Sequence, residues 1–210
     1  MKKNSRTVDL EASLAHLRKD ERLRRLIQKH TKPELRKTRN AFQSLAESII
    51  YQQLSSKAAG TIYKRFVALY DADGTQKKFP LPVEVLNSPV DLLRTAGVSN
   101  QKASYLIDLA RRFEDGTITP RLFASMTDEE ISKHLIQVKG IGQWTVDMFL
   151  IFALNRPDIL PVGDLAIQKA FQRLFKLRQL PSAKRMQQLA AGWRGHRTVA
   201  CLYLWKSVDN

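Results

Sequence analysis

Two short stretches of the chain carry residues whose types and spacing could do chemistry. In "QVKGIGQWTVDM" (137–148), Gly140 and Gly142 flank Ile141, and the run then turns apolar. Glycines reach backbone conformations closed to other residues and leave their amides unshielded. Where such amides open a helix, the helix dipole adds to them, and an anion such as a phosphate is favoured. In "LPVGDLAIQKAF" (160–171), a loop containing Pro161 and Gly163 delivers one carboxylate, Asp164, to the start of an amphipathic helix. The local role of Asp164 is an N-cap. Its chemical role would be to stabilise a developing positive charge and to orient or deprotonate water. Taken singly, the first motif is compatible with a plain helix–helix turn and the second with a cap.

The elements that must hold these residues read as helices. Leu10, Leu14 and Leu17 share one face, and Leu23, Leu26 and Ile27 follow after a charged break. Phe42, Leu45, Ile49 and Ile50 form another face, as do Ile62, Phe66 and Leu69, and then Leu106, Leu109 and Phe113. No stretch alternates with period two for long. Turn residues fall at 71–82, 114–120, 155–164 and 178–183. The pattern predicts an all-α protein of about ten helices. Thr127 and Glu130 are spaced for a capping box that starts the helix leading into the glycine turn. That helix is expected to carry Leu135, Ile136 and Val138, and "QWTVDMFLIFAL" (143–154) is expected to be a buried helix.

Composition narrows the partners. Thirty-five Lys and Arg against 20 Asp and Glu give a formal charge of +15. An excess of that size suits a polyanion, either nucleic acid or an anionic membrane surface, or else is a solubility charge spread evenly. No run of about 18 apolar residues exists to span a bilayer, and the basic start lacks an apolar core for a secretion signal. A single cysteine, Cys201, excludes an intramolecular disulfide and a four-cysteine metal site, and is expected to be a small buried hydrophobe.

Taken together, "VKGIGQWTVDMFLIFAL" followed by "LPVGDLAIQKAF" resembles the helix–hairpin–helix DNA glycosylases. Within them the chain is similar to the 3-methyladenine DNA glycosylase II group, which removes alkylated bases. The resemblance extends from "SLAESIIYQQLSSKAAG" (44–60) to "WRGHRTVACLYLW" (193–205). It implies an all-α fold of two helical subdomains, 1–38 plus 155–210 and 39–154, with the helix–hairpin–helix at about 127–154 and the active cleft between them. By the same resemblance Asp164 is the catalytic aspartate, and Gly140, Ile141, Gly142 and Thr145 bind DNA phosphate. The carbonyls of Ile136, Val138 and Gly140 match a site for sodium or potassium, with no cofactor required. Gln53 matches the residue that fills the gap left by a flipped nucleotide, with Leu54 beside it as a wedge. Trp144 and Met148 match positions lining the base pocket. His196 stands where another member carries a stacking tryptophan, so the lesion range stays open. The implied partner is double-stranded DNA with alkylated bases, without a membrane, for a monomer located in the cytoplasm with the nucleoid in bacteria or in the nucleus in eukaryotes. In bifunctional relatives a lysine follows the hairpin's second glycine by two residues; here that residue is Trp144, which implies hydrolysis without strand cleavage.

The residues themselves suit that chemistry. A base inside a duplex must be extruded before its glycosidic bond can be reached, and a side chain must fill the hole. Gln53 or Leu54, at a helix end, is placed for that, although "YQQLSS" can also be a plain polar helix end. A ring-alkylated base is cationic and would gain ~1–2 kcal/mol over the Trp144 face when desolvated. Such a base leaves readily, so what remains to be stabilised is positive charge on the sugar. Trp193 and Trp205 are expected in the core, His16, His30 and His134 as bystanders, and Asp147 as a structural hydrogen-bonding group. Two other readings stay open: a glycosylase for oxidised or deaminated bases, and a non-catalytic DNA-binding module, which would have no need of the Asp164 loop.

Overall fold

A computed structural model describes residues 7–35, 40–71 and 78–208. The basic start at 1–6, the expected subdomain boundary near 38 and positions 72–77 of the first long turn lie outside the described residues. Every regular element among the described residues is helical. In chain order the α-helices are α1 (Leu10–Leu17), α2 (Glu21–Lys29), α3 (Ala41–Tyr51), α4 (Ser56–Ala68), α5 (Pro82–Leu86), α6 (Val90–Thr95), α7 (Asn100–Glu114), α8 (Asp128–Leu135), α9 (Gln143–Met148), α10 (Leu165–Leu174), α11 (Ala183–Leu189) and α12 (Arg197–Lys206). Twelve helices exceed the ten expected because α5 and α6 are too short to show a period of their own. No helix among the described residues is long and apolar enough to cross a membrane.

Contacts divide the chain into two units, 1–37 with 147–210, and 38–146. In the first, the terminal unit, Leu14 and Leu17 of α1, Phe171 of α10 and Tyr203 and Leu204 of α12 meet in one core. Each such side chain contributes about 1.5–3 kcal/mol by leaving water. Cys201 is fully buried there, as expected, and burial pushes its thiol well above the ordinary range. In the second, the central unit, Phe42, Leu45 and Ile49 of α3 and Leu106 and Leu109 of α7 are buried. The Phe42 ring meets the edges of Phe79 and Phe113 at 5.8 and 5.2 Å.

The run 143–154 departs from the single buried helix expected. It is α-helical to Met148 and then π-helical from Phe149 to Ala153. The Leu154 N–H reaches back five residues to the Phe149 carbonyl at 3.1 Å, which widens the turn. Trp144 and Phe152 are about half exposed, at 49 and 50%. A run of apolar residues carries no period that separates a buried face from one left open, so the sequence could not show this. The division between units falls inside the run, at Asp147, rather than at 155.

Candidate functional site

The glycine turn is built from α8 outward. Thr127 caps α8: its hydroxyl accepts the Glu130 N–H at 3.2 Å, and the Glu130 carboxylate accepts the Thr127 N–H at 2.7 Å. The helix ends at Leu135, so Ile136 is its C-cap and Val138, three residues past the end, belongs to the turn rather than to the helix expected to hold both. Val138 and Ile141 are buried, and the Ile141 N–H closes the turn on the Val138 carbonyl at 3.1 Å. The Ile141 amide is thus spent inside the protein. Gly140 has φ +80°, a conformation that favours glycine, and a Cβ there would lie 2.1 Å from the Tyr105 ring. Gly142 is different from what the sequence suggests: it has no positive φ, and a Cβ would meet nothing within 4 Å. It is exposed, directly ahead of α9. Thr145, expected at the phosphate, is only 4% exposed. Its side chain is withdrawn from solvent on the inner face of α9, so a phosphate would reach this residue through its backbone rather than its hydroxyl.

Asp108 of α7 anchors the same turn, a role the sequence did not signal. Its carboxylate accepts the Lys139 N–H at 3.0 Å and Arg112 Nε–H at 3.2 Å. Burial pushes the Asp108 carboxyl up, but the Lys139 N–H and the bond and charge of Arg112 outweigh it and hold it below the usual range. Gln52 adds a second anchor, donating from Nε2 to the Gly140 carbonyl at 2.8 Å. Gln53 and Leu54 follow Gln52 on an exposed loop, with Gln53 at φ +56°. The central unit therefore brings together the hairpin and the expected gap-filling residues.

The carbonyls of Ile136, Val138 and Gly140 sit at and after the C-terminus of α8, where the helix dipole favours a cation. Val138 and Gly140 each accept one hydrogen bond already, which leaves a second lone pair on each oxygen. An all-oxygen set of this kind suits a hard cation and not a soft transition metal. No cluster of His, Cys, Asp or Glu capable of holding a metal occurs among the described residues.

In the terminal unit Asp164 is the N-cap of α10. Its Oδ1 accepts the Ile167 N–H at 2.9 Å and the Trp205 Nε1–H at 3.1 Å. Two donors on one oxygen, from two helices, fix the plane of the carboxylate. Trp205 is thus not merely core, as expected; it is partly exposed, and its ring lies 5.7 Å from that of Phe152. Trp193 is buried as expected, donating from Nε1 to Asp20 at 3.1 Å. Met148 is partly buried and Asp147 is buried at 8% exposure.

His196 is partly buried and stacks on His16, with ring centroids 4.5 Å apart. His16, expected to be a bystander, therefore supports a candidate pocket residue. The Ser13 hydroxyl donates to the Asp9 carbonyl at 2.6 Å, so His196 Nδ1, 2.9 Å from Ser13 Oγ, is the donor of that pair. His16 donates from Nε2 to the Gly192 carbonyl at 2.8 Å. Burial, then the His16 ring, push the His196 imidazole below its ordinary range, against a smaller upward pull from Asp158 and Asp9. His134 only meets the Thr117 carbonyl at 3.2 Å.

This combination, a glycine-turned hairpin and a doubly held aspartate opening a helix, falls within a defined class. Residues 46–194 match the model of the HhH-GPD superfamily base excision DNA repair proteins, and the chain belongs to that family. It is 34% identical over 167 residues to DNA-3-methyladenine glycosylase 1 of Schizosaccharomyces pombe, covering 79% of this chain and 72% of that protein. It is also 34% identical to the Bacillus subtilis protein YfjP over 174 residues, 81% of this chain but only 60% of YfjP. Among solved structures, the S. pombe 3-methyladenine DNA glycosylase Mag1 in complex with abasic DNA superposes with a TM-score of 0.80 at 31% identity, over 95% of this chain and 97% of that one. A DNA-3-methyladenine glycosidase from Bacillus halodurans superposes with a TM-score of 0.84 at 32% identity, over 97% and 90% of the two chains.

Proposed function

We propose that this protein is a monofunctional DNA glycosylase that hydrolyses the N-glycosidic bond of alkylated purines, of the 3-methyladenine and 7-methylguanine type, and leaves an abasic site. The observation that carries the reading is Asp164: one carboxylate at a helix N-terminus, its plane fixed by the Ile167 N–H and the Trp205 indole, in a chain of the base-excision family. The relatives' names support the substrate class.

The steps follow from charge. The hairpin at Gly140 to Gly142 receives a DNA phosphate on exposed backbone, with a sodium or potassium ion on the Ile136, Val138 and Gly140 carbonyls able to stiffen it. Contacts of this kind position the duplex without reading sequence. Gln53 and Leu54 enter the stack as the damaged nucleotide leaves it. Trp144, half exposed, offers a π face to a cationic base, and Met148 and His196 are read as further residues that contact the base. A neutral His196 does not repel that positive charge, in keeping with the downward shift of its ring. As the bond to the base stretches, positive charge grows on the sugar and the Asp164 carboxylate stabilises it, then orients or deprotonates the incoming water. No lysine occupies position 144, so no Schiff base forms and the strand stays intact.

The test is to incubate the protein with methylated duplex DNA and separate the released bases by chromatography, with borohydride added to a parallel sample. The proposal expects free methylated purines, abasic sites that break only on heating with alkali, and no trapped protein–DNA adduct. Tight binding without release would identify a non-catalytic module. Release confined to oxidised or deaminated bases would overturn the substrate class.

A further inference from the structure

The loop that carries Gln53 and Leu54 is poorly supported by its own backbone. The N–H groups of Gln52 and Leu54 reach the Ile49 and Tyr51 carbonyls only at 3.4 Å, beyond the usual 2.7–3.2 Å. Gln53 nevertheless sits at φ +56°, where a residue with a side chain is strained, and no glycine stands at this helix end to relieve it. Something else must hold the turn. Lys102, in the first turn of α7, reaches across with Nζ and donates to the Ile50 carbonyl and to the Gln52 carbonyl, both at 2.7 Å. These two carbonyls lie at the end of α3, where helix oxygens have no intrahelical partner. Charge-assisted bonds of this length are about twice as strong as neutral ones. Ile50 is fully buried, and burial also lowers the pKa of Lys102. The Gln52 side chain completes the arrangement through its bond to the Gly140 carbonyl.

We propose that Lys102 is a positioning residue for damage search: by gripping the Ile50 and Gln52 carbonyls it holds Gln53 and Leu54 in the projecting turn, and so sets how readily a nucleotide is extruded, without itself touching DNA. This rests on the reading of Gln53 and Leu54 as gap-filling residues. An ordinary surface lysine would be solvated and interchangeable. This one replaces the glycine that would normally end such a helix, and it does so from another helix.

The experiment is a double-mutant cycle on the full chain, with Lys102→Met, Gln53→Ala, the pair together, Leu54→Ala beside them, and Lys102→Arg as the conservative variant. Single-turnover base release from methylated duplex is measured beside affinity for undamaged duplex, with thermal melts as a control for folding. Lys102→Met should slow release by roughly ten- to a hundred-fold, the size of one charge-assisted bond, since water replaces part of what the two bonds supply. Affinity for undamaged duplex should stay within about twofold of the parent, since Asp108 still anchors the hairpin through the Lys139 N–H, and Lys102→Arg should recover most of the rate. In the Gln53→Ala background the Lys102→Met effect should largely vanish, because both changes disable the same device. If Lys102→Met leaves the rate intact while Gln53→Ala impairs it, the inference fails and the gap-filling reading survives. If the two effects multiply independently, Lys102 acts elsewhere and the inference fails. If Gln53→Ala and Leu54→Ala both leave release unchanged, the gap-filling reading falls and this inference with it. Should Lys102→Met prove too unstable to assay, Lys102→Gln, which keeps a polar head on a shorter stem, replaces it under the same criteria.

Discussion

The two glycines of the hairpin have different jobs, and alanine at each separates them. At Gly140, alanine must adopt φ +80°, which costs about 1–2 kcal/mol for a residue with a Cβ. Its Cβ would also fall 2.1, 2.4 and 2.7 Å from three carbons of the Tyr105 ring. A ring cannot yield as a flexible chain end does, so overpacking adds about 1–3 kcal/mol. The sum is about 2–5 kcal/mol, which in a chain of this size lowers the melting temperature by roughly 4–20 °C. At Gly142 neither term applies, and alanine should leave stability unchanged or raise it by about 0.4–1 kcal/mol through the unfolded chain. The added methyl stands instead where a phosphate would approach the backbone. Loss of one charge-assisted bond predicts a roughly ten- to hundred-fold weaker affinity for duplex DNA. Denaturant melts and fluorescence anisotropy with a labelled duplex read the two effects. Adding Tyr105→Ala to Gly140→Ala should recover the overpacking part and leave the conformational part. A Gly140→Ala protein as stable as the parent would refute the turn geometry. A Gly142→Ala protein that binds DNA normally would refute the contact at Gly142.

Trp205→Phe keeps the ring but removes the Nε1–H that holds Asp164, so single-turnover base release should fall about tenfold with little change in DNA affinity. Affinity for undamaged duplex should fall steeply and linearly on a log–log plot against salt, as a charge of +15 and backbone contacts require; a flat plot would argue against a phosphate interface. His196 should make stability depend on acidity. Its folded-state pKa lies below the ordinary 6.5, so between the two values the unfolded chain binds more protons, and the contribution of the neutral ring, complete above 6.5, is lost as pH falls. The stability of the parent relative to His196→Phe should therefore fall from about pH 7.5 to 5, and a constant difference would contradict the shift.

What could be read from the sequence was local. Helical faces, the Thr127–Glu130 capping box and the position of Asp164 at the start of α10 all depend on spacings of a few residues, and each was legible. The partners that tune those residues lie far away in sequence. Trp205 is 41 residues from Asp164, Lys102 is 50 from Gln52, and Asp108 is 31 from Lys139. Such pairs follow from how helices cross, and no periodicity encodes them. The π-helical turn at Phe149–Ala153 was equally hidden, since its residues would suit an α-helix. The burial of the Thr145 side chain is hidden for a related reason: proximity to the hairpin in sequence does not say which face of α9 turns inward.

The most direct measurement is base release by Asp164→Asn under single-turnover conditions, where slow product release cannot hide the chemical step. Asparagine caps a helix about as well as aspartate and can still accept the Ile167 N–H and the Trp205 N–H, so the fold should be retained. It carries no charge, and so can neither stabilise a sugar cation nor take a proton from water. The account predicts a fall in rate of several orders of magnitude, with binding to an abasic-site analogue nearly unchanged. Excision of methylated purines by Asp164→Asn at close to the parent rate would make Asp164 a cap alone and contradict the proposed active site.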